Sequence, residues 1–503
     1  MRRIVGGIAV LAGLLIAAPA GPAISAEPGE LDGFEYVSLG DSYAAGFGLI
    51  PFSATSPFAA TPPITSNGCY QGDANYPHLV AADLGLALTD RTCSGAVSPN
   101  LGFVAGASLT LPPVGSLTLL PQLTTASQAQ TTMSGASYPG LQVDALGPTT
   151  DVVTVAIGGN DLGFSDIAES CMRASVGGGS TALGMMVIAG ISVANCKDVY
   201  ESSNPSYADY QLATRQTDFI TPRIAAVFDE IATKAPNAQV FVVGYPQIAP
   251  ADATDACFSG GFPPFSDGVP FSGVDLGYIH DVESELVAAL QSEAAARGFH
   301  FVDTWEATAQ HTICAGAESW IQKLDIENAV SGACSDPDWL PLGYHGTTYF
   351  CMRLGALHPT ADGVAKLREL TTAAVNAAFG TSVSVGSVPP GAGLTVDGVG
   401  FRPGEPVEVV LHSTPVSLGT FTADASGAFS AAVTVPADVP VGAHTVVSTG
   451  QTSGRAFSAA LTVELAATGS SDSTMPLLLA LCFVTAGFLL ISARRARPSG
   501  PAR

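Results

Sequence analysis

A chain of 503 residues is too long for one ordinary domain, so at least two are expected. Only 12 % of its residues are charged and 47 % are hydrophobic, which excludes a disordered chain or a charged coiled coil. With 43 acidic against 19 basic residues the net charge is −24, and no basic stripe offsets it, so a nucleic-acid partner is excluded as well.

At the N-terminus Arg2 and Arg3 precede the uncharged run Ile4–Ala18 and a stretch of small residues with prolines. This is the layout of a secretory signal peptide over residues 1–26, with cleavage after Ala26 and Ala20 as the alternative. From residue 27 to 380 strand and helix patterns alternate. Apolar, β-rich runs fall at Tyr36–Leu39, Val152–Ile157, Gln239–Val243 and Phe299–Val302. Helical patterns fall at Pro77–Leu84, Ala208–Thr233, Tyr278–Ala296 and Ala361–Ala378. Strands separated by helices predict an α/β domain whose parallel sheet is covered on both faces, with ligands at the C-terminal edge of its strands.

Residues 381–393, rich in Pro, Gly and Ser, are expected to be a linker. Over 394–464 short Val/Thr-rich runs at Val407–Leu411, Ala428–Val435, His444–Ser448 and Ala459–Val463 alternate with Gly, Pro and Asp turns. They predict a small immunoglobulin-like β-sandwich. His412 and His444 lie there without a nucleophile to serve, so a spacer or binding role is expected. Residues 465–503 contain Leu465-Ala466-Ala467-Thr468-Gly469, a polar spacer, an apolar segment at 475–493, and Arg494, Arg495 and Arg497. The segment is just long enough to span a membrane, with the arginines inside. The four parts in this order resemble a sortase sorting signal. The resemblance implies cleavage between Thr468 and Gly469, with sortase and cell-wall peptidoglycan as partners and the cell surface as the location; a plain single-pass membrane anchor is the alternative.

Nine cysteines are present, and Cys482 would leave with the apolar segment. The even remainder in an exported chain predicts disulfides. Nearest neighbours close the shortest loops, which gives Cys69–Cys93, Cys171–Cys196, Cys257–Cys314 and Cys334–Cys351. No Cys-x-x-Cys pair occurs, so no zinc site is expected.

Candidate chemistry gathers where strands end. The first strand runs into Gly40-Asp41-Ser42-Tyr43, where a lone serine is ordinarily a helix cap. A later one runs into Gly158-Gly159-Asn160-Asp161, ordinarily a tight turn. Gly95 follows a further short strand pattern, and Leu357-His358-Pro359 opens a late helix. Together, and in this order, these residues resemble the SGNH (GDSL-type) hydrolase family over about residues 34–379. The likeness is closest to its secreted actinobacterial lipase/esterase branch, which shares Asn75-Tyr76-Pro77 and the Cys69…Cys93 frame.

The resemblance implies a flavodoxin-like three-layer sandwich with five parallel strands, and no cofactor or metal. Ser42 would be the nucleophile and His358 the general base and then acid. The N–H groups of Ser42 and Gly95 and the Asn160 amide would form the oxyanion hole. The chemistry agrees: a serine hydroxyl attacks only once a base takes its proton, histidine titrates near neutrality, and converging donors stabilise a tetrahedral oxyanion. No Gly-x-Ser-x-Gly elbow is present. The family commonly carries an acid three residues before the histidine, where this chain has Gly355. The Gly355 carbonyl is the expected orienting group, with Asp336 and Asp338 as the nearest upstream carboxylates.

The expected enzyme is a secreted, surface-anchored carboxylic ester hydrolase. The apolar stretches Leu101–Leu123 and Met185–Val193 suit either an acyl chain or ordinary core packing under a loop, and a carboxylic ester with an acyl chain, neutral lipid or short ester, is the expected substrate. The alternatives are a carbohydrate O-acetyl esterase and a wall-displayed adhesion protein with an inactive hydrolase-like domain.

Overall fold

The computed structural model of the chain describes residues 24–49, 69–102, 129–131, 137–164, 167–168, 171, 195–201, 221–252, 257, 271–323, 326–329, 339–345, 348–353 and 355–465. Five strands form a parallel sheet: β1 (Glu35–Gly40), β2 (Ala87–Asp90), β3 (Val152–Ala156), β4 (Gln239–Val243) and β5 (His300–Val302). Their order is β2-β1-β3-β4-β5, with every neighbouring pair parallel. This is the flavodoxin-like order, and its direction reverses at the β1/β3 boundary, where a crevice opens beyond the strand ends.

Alternate residues of the central strands feed two separate cores, because side chains point to opposite faces in turn. Val37, Leu39, Val153, Val155, Val240 and Val242 pack with Ile224, Phe228 and Ile231 of α5 (Thr221–Lys234) and Ile279, Leu286 and Leu290 of α6 (Gly273–Ala296). Tyr36, Val152, Phe241 and Val243 face Val80 of α2 (Tyr76–Leu84) and Val364, Leu367 and Val375 of α7 (Ala361–Ala377). The result is three layers with apolar runs on both sheet faces. Asn75, Ser272 and Thr360 cap α2, α6 and α7 by accepting from the N–H groups of His78, Asp275 and Gly363.

Helix α6 begins five residues before the predicted Tyr278. Ser272 caps it there, while Gly273 and Gly277 dilute the helical pattern of the first turn. Helix α5 covers the second half of the predicted Ala208–Thr233; residues 208–220 lie outside the described residues. Disulfides join Cys69 to Cys93, Cys171 to Cys196 and Cys257 to Cys314. Cys334 lies outside the described residues, and with it the expected Cys334–Cys351 pair. So do the signal-peptide run 1–23, residues 466–503 and most of Leu101–Leu123 and Met185–Val193. Among the described residues no helix is long and apolar enough to cross a membrane.

The C-terminal region is all-β. Strands β6 (Gly380–Val383), β8 (Gly393–Val399) and β11 (Phe429–Thr434) form one sheet in the order β6-β8-β11. Strands β7 (Ser387–Val388), β9 (Pro406–His412), β10 (Val416–Thr422), β12 (Gly442–Gly450) and β13 (Ala456–Val463) form the other, in the order β7-β13-β12-β9-β10. Pairing is antiparallel except for the short β7–β13 contact. Burial alternates along β9 and β11, with Val407, Val409, Ala431 and Val433 turned inward. The immunoglobulin-like expectation therefore stands, but the linker does not. Residues 380–383 and 387–388 are ladder strands whose Thr381, Ser382, Val383 and Val388 are buried. Their Pro, Gly and Ser punctuation belongs to the turns between very short strands.

The two regions share one apolar core. Phe379 meets Phe34 of the α/β region edge-on, with ring centroids 5.6 Å apart, and also contacts Phe457 of the sandwich. Arg455 on the sandwich is buried across this seam. Its guanidinium donates to Asp151 Oδ1 (2.5 Å), Gly400 O (2.6 Å) and Asn237 O (3.3 Å), and lies over the rings of Phe34 and Phe379. Glu30 accepts from both the N–H and the hydroxyl of Ser458. Arg455 is buried, while Asp151 is partly exposed and also accepts from the Glu35 N–H, so Arg455→Met, which removes these guanidinium hydrogen bonds, should cost about 1–3 kcal/mol. Urea unfolding is expected to show that loss in one cooperative transition; two separate transitions in the parent protein would mean that the halves fold independently.

Candidate active site

The site is built where β1 and β3 end side by side. Gly40 closes β1 with a φ of +146°, and a Cβ there would lie 2.4 Å from the Ala156 carbonyl oxygen, so only glycine allows this approach. The Gln142 side-chain amide brackets Gly40, accepting from its N–H (2.8 Å) and donating to its carbonyl (3.0 Å). The chain then turns into the single-turn helix α1 (Ser42–Ala45), capped by the Asp41 carboxylate, which accepts from Tyr43 N–H at 3.0 Å. Ser42 is the first residue of this turn, so its N–H belongs to the donors that a helix leaves without an intrahelical partner.

Two further turns converge on this rim. Cys93 N–H donates to Gly40 O (3.0 Å) and Ser94 N–H to Cys69 O (2.9 Å), which ties the Cys93–Ala96 turn and its disulfide to the end of β1. Gly95 has a φ of +85° at the centre of that turn. From β3, Gly158 leads into the short helix α4 (Gly159–Leu162), and Asn160 donates from its side-chain amide to Ala96 O (2.9 Å). Asp161 behind it is fully buried. It accepts from the Ser98 N–H and hydroxyl and pairs with Arg223 at 3.4 Å. Burial raises its pKa, against the opposing pull of Arg223.

His358 completes the group. Its Nε2 lies 2.7 Å from Ser42 Oγ and its Nδ1 2.9 Å from the Ala356 carbonyl oxygen. A carbonyl only accepts, so Nδ1 carries the proton and Nε2 is left to accept from the serine hydroxyl. The expected Gly355 carbonyl is therefore corrected to that of Ala356. Gly355 O instead accepts from the His358 backbone N–H (2.9 Å), closing the turn, and the next carbonyl along faces the ring. Asp336 and Asp338 lie outside the described residues.

The turn is held in an unusual shape. Leu357 has a φ of +64°, which costs a non-glycine residue about 1–3 kcal/mol. It is pinned on both sides, since its N–H donates to Gln322 O (2.9 Å) and its carbonyl accepts from the Tyr43 hydroxyl (2.8 Å). The rings of Tyr43 and Phe47 pack against the imidazole with centroids 4.7 and 5.0 Å away. A cavity of about 430 Å³ opens beside this turn, lined by Gly48, Leu49, Gln322, Lys323 and Thr360 among others.

Burial pushes the His358 pKa down to about 4, against a smaller upward effect of the Ala356 hydrogen bond, so the ring is a neutral acceptor at ordinary pH. Burial pushes Asp41 the other way, up to about 7, against hydrogen bonds from Tyr245 and from Tyr43 N–H. The one cluster among the described residues with metal-ligating composition is Cys171, Cys196 and Asp275. Its two sulfurs are already bonded to each other, and Asp275 accepts from Cys196 N–H.

Ser42, Gly95, Asn160 and His358 are thus gathered at one sheet edge. Asp41 and Tyr43, already within the Gly40–Tyr43 motif, help to hold them there, as do Gln142 and Tyr245, to which no motif in the sequence points. The fold is a flavodoxin-like α/β sandwich with Ser42 and His358 in contact at its sheet edge. A sequence model of the GDSL-like Lipase/Acylhydrolase family matches residues 38–366, and one of the macroglobulin-like domain matches residues 380–463. The chain belongs to the GDSL-like Lipase/Acylhydrolase family and is a carboxylic ester hydrolase. It is 28 % identical to lipase 2 of Streptomyces coelicolor over 294 residues, covering 58 % of this chain and 76 % of that one. It is also 28 % identical to an esterase of Streptomyces scabiei over 340 residues, covering 64 % and 84 %. Among solved structures, the extracellular lipase from Streptomyces rimosus aligns with a TM-score of 0.40 and 23 % identity, over 68 % of this chain and 99 % of that chain.

Unfolded, a histidine titrates near 6.5, whereas folded His358 titrates near 4. Between these values the unfolded chain binds the extra proton, so this group's contribution makes stability fall as pH drops from 6.5 toward 4 and leaves it flat above. An NMR titration of the His358 ring protons is expected to show a midpoint well below 6.5. A midpoint at or above 6.5 would mean the ring is not buried as described.

Proposed function

We propose that Ser42 is the nucleophile and His358 the general base of an ester hydrolase that works through an acyl-enzyme. The carrying observation is the 2.7 Å contact between His358 Nε2 and Ser42 Oγ, with Nδ1 committed to the Ala356 carbonyl. Ser42 Oγ attacks the ester carbonyl as its proton passes to Nε2. The developing oxyanion is met by the N–H groups of Ser42 and Gly95 and by the Asn160 amide hydrogen not given to Ala96. The imidazolium then returns the proton to the leaving alkoxide, which departs as the alcohol. A water, deprotonated by the same nitrogen, hydrolyses the acyl-Ser42 ester and restores the serine. A peptide carbonyl orients the ring without a counter-charge, so Ser42 and His358 act as a dyad.

The substrate class is a carboxylic ester with an acyl chain, neutral lipid or short ester, as the lipase and esterase names of the relatives support. The acidic surface disfavours anionic head groups. Ser42→Ala should abolish p-nitrophenyl ester hydrolysis without moving the unfolding midpoint. Asn160→Ala should lower kcat by about 100- to 1000-fold with little change in KM. Full activity of Ser42→Ala, or an Asn160→Ala effect confined to KM, would reject these roles.

The protein is further proposed to be exported and wall-anchored by sortase through Leu465–Gly469, with two domains meeting at residue 379/380. Within the leader, Ala26 is buried and its N–H donates to Asn376 O, which favours cleavage after Ala20, since a mature chain starting at Glu27 would lose both contacts. Mass spectrometry of the secreted protein should find an N-terminus upstream of Ala26. Thr468→Ala should shift the protein from the wall to the membrane fraction, and normal wall attachment of that variant would exclude sortase.

A further inference from the structure

Tyr245 follows β4 and stands between the two turns that carry Ser42 and Asn160. Its ring is buried and packs edge-on against that of Tyr43, with centroids 4.9 Å apart. Its hydroxyl donates to Asp41 Oδ2 at 2.5 Å and accepts from Gly159 N–H at 3.0 Å. The direction of both bonds is fixed, because an amide N–H can only donate and the phenol hydrogen is then free for the carboxylate. The other Asp41 oxygen accepts from Tyr43 N–H, so the carboxylate is committed on both sides. Burial and the nearby Asp41 charge raise the Tyr245 pKa well above its ordinary value, which keeps the proton on the phenol. One phenol oxygen thereby joins the residue before Ser42 to the residue before Asn160, across the boundary where the sheet order reverses.

We propose that Tyr245 is a positioning residue that sets the spacing of the two oxyanion-binding turns. The inference rests on the proposed roles of Ser42 and Asn160. Donors stabilise an oxyanion only from about 2.7–3.1 Å, and a displacement of about 1 Å can cost on the order of 100-fold in rate. Without the hydroxyl, Asp41 Oδ2 and Gly159 N–H lose the partner that ties them together, and the turns are free to separate. The ground-state ester gains little from the oxyanion donors, so the loss falls on turnover rather than on substrate binding.

The test is Tyr245→Phe in the full chain, which keeps the ring and its contact with Tyr43. With a p-nitrophenyl ester, kcat should fall roughly 10- to 100-fold while KM stays within about twofold. Affinity for a boronic acid that mimics the tetrahedral intermediate should weaken in parallel with kcat. Combined with Asn160→Ala, the loss should be smaller than the product of the two single losses, because one variant already misplaces what the other removes. An unchanged kcat, an effect confined to KM, or losses that multiply fully would overturn the proposal. If Tyr245→Phe does not fold, Asp41→Asn takes its place in the same cycle, since asparagine still caps α1 while its amide disturbs the link to the phenol. Ser42→Ala separates the two levels. Activity surviving in that variant rejects the underlying site, whereas a dead Ser42→Ala beside an unimpaired Tyr245→Phe rejects the positioning role alone.

Discussion

The approach of Gly40 to the Ala156 carbonyl governs where the rest of the site can lie. Strands β1 and β3 pair in register up to their last residues, Gly40 and Ala156, so both release their chains at one height on the sheet. A side chain at position 40 would meet backbone on the neighbouring strand, which cannot move without breaking the ladder. Everything beyond depends on that equality of height. The Ser42 turn and the Asn160 turn emerge side by side, close enough for a single phenol oxygen to reach both. The third turn, at Gly95, is brought to the same level by Cys93 N–H on Gly40 O and by its disulfide to Cys69.

The electrostatics of the site follow from burying polar groups in an acidic protein. Asp41, Asp161 and Glu283 are all buried with raised pKa values, mainly through loss of water, and their hydrogen bonds offset only part of that cost. A further carboxylate behind His358 would add another buried charge to this neighbourhood. A peptide carbonyl fixes the same tautomer without one. The arrangement gives up stabilisation of the imidazolium and keeps the ring neutral far into the acid range.

Long strands and the four short motifs were legible in the sequence because their signals are local. Runs such as Val152–Ile157 announce themselves by composition, and Ser42 and His358 by the residues beside them. The errors have equally local causes. The position of Gly355 three residues before the histidine points to its carbonyl, but an i to i+3 turn uses that carbonyl for its own closure and offers the one after it to the ring. The 381–393 stretch looked like a linker because strands of two to four residues carry too little periodicity to outweigh their Gly, Pro and Ser neighbours. Gln142 and Tyr245 were invisible for a different reason. Their partners lie 102 and 204 residues away, a distance over which no spacing argument reaches.

The seam between the α/β layers and the sandwich has a consequence for how the chain reaches this state. Glu30 meets Ser458 across 428 residues of sequence, and Phe34 meets Phe457 in the same core. As the chain is made from its N-terminus, the first strand can find β2 and β3 early, but the apolar face around Phe34 and Phe379 is completed only when Phe457 arrives with the last strand. Contacts of such separation are slow to form, and the uncovered surface is open to mispairing meanwhile. A chain ending just before Ala456 would lack Phe457 and Ser458, so the last strand is what closes the core shared by the two regions.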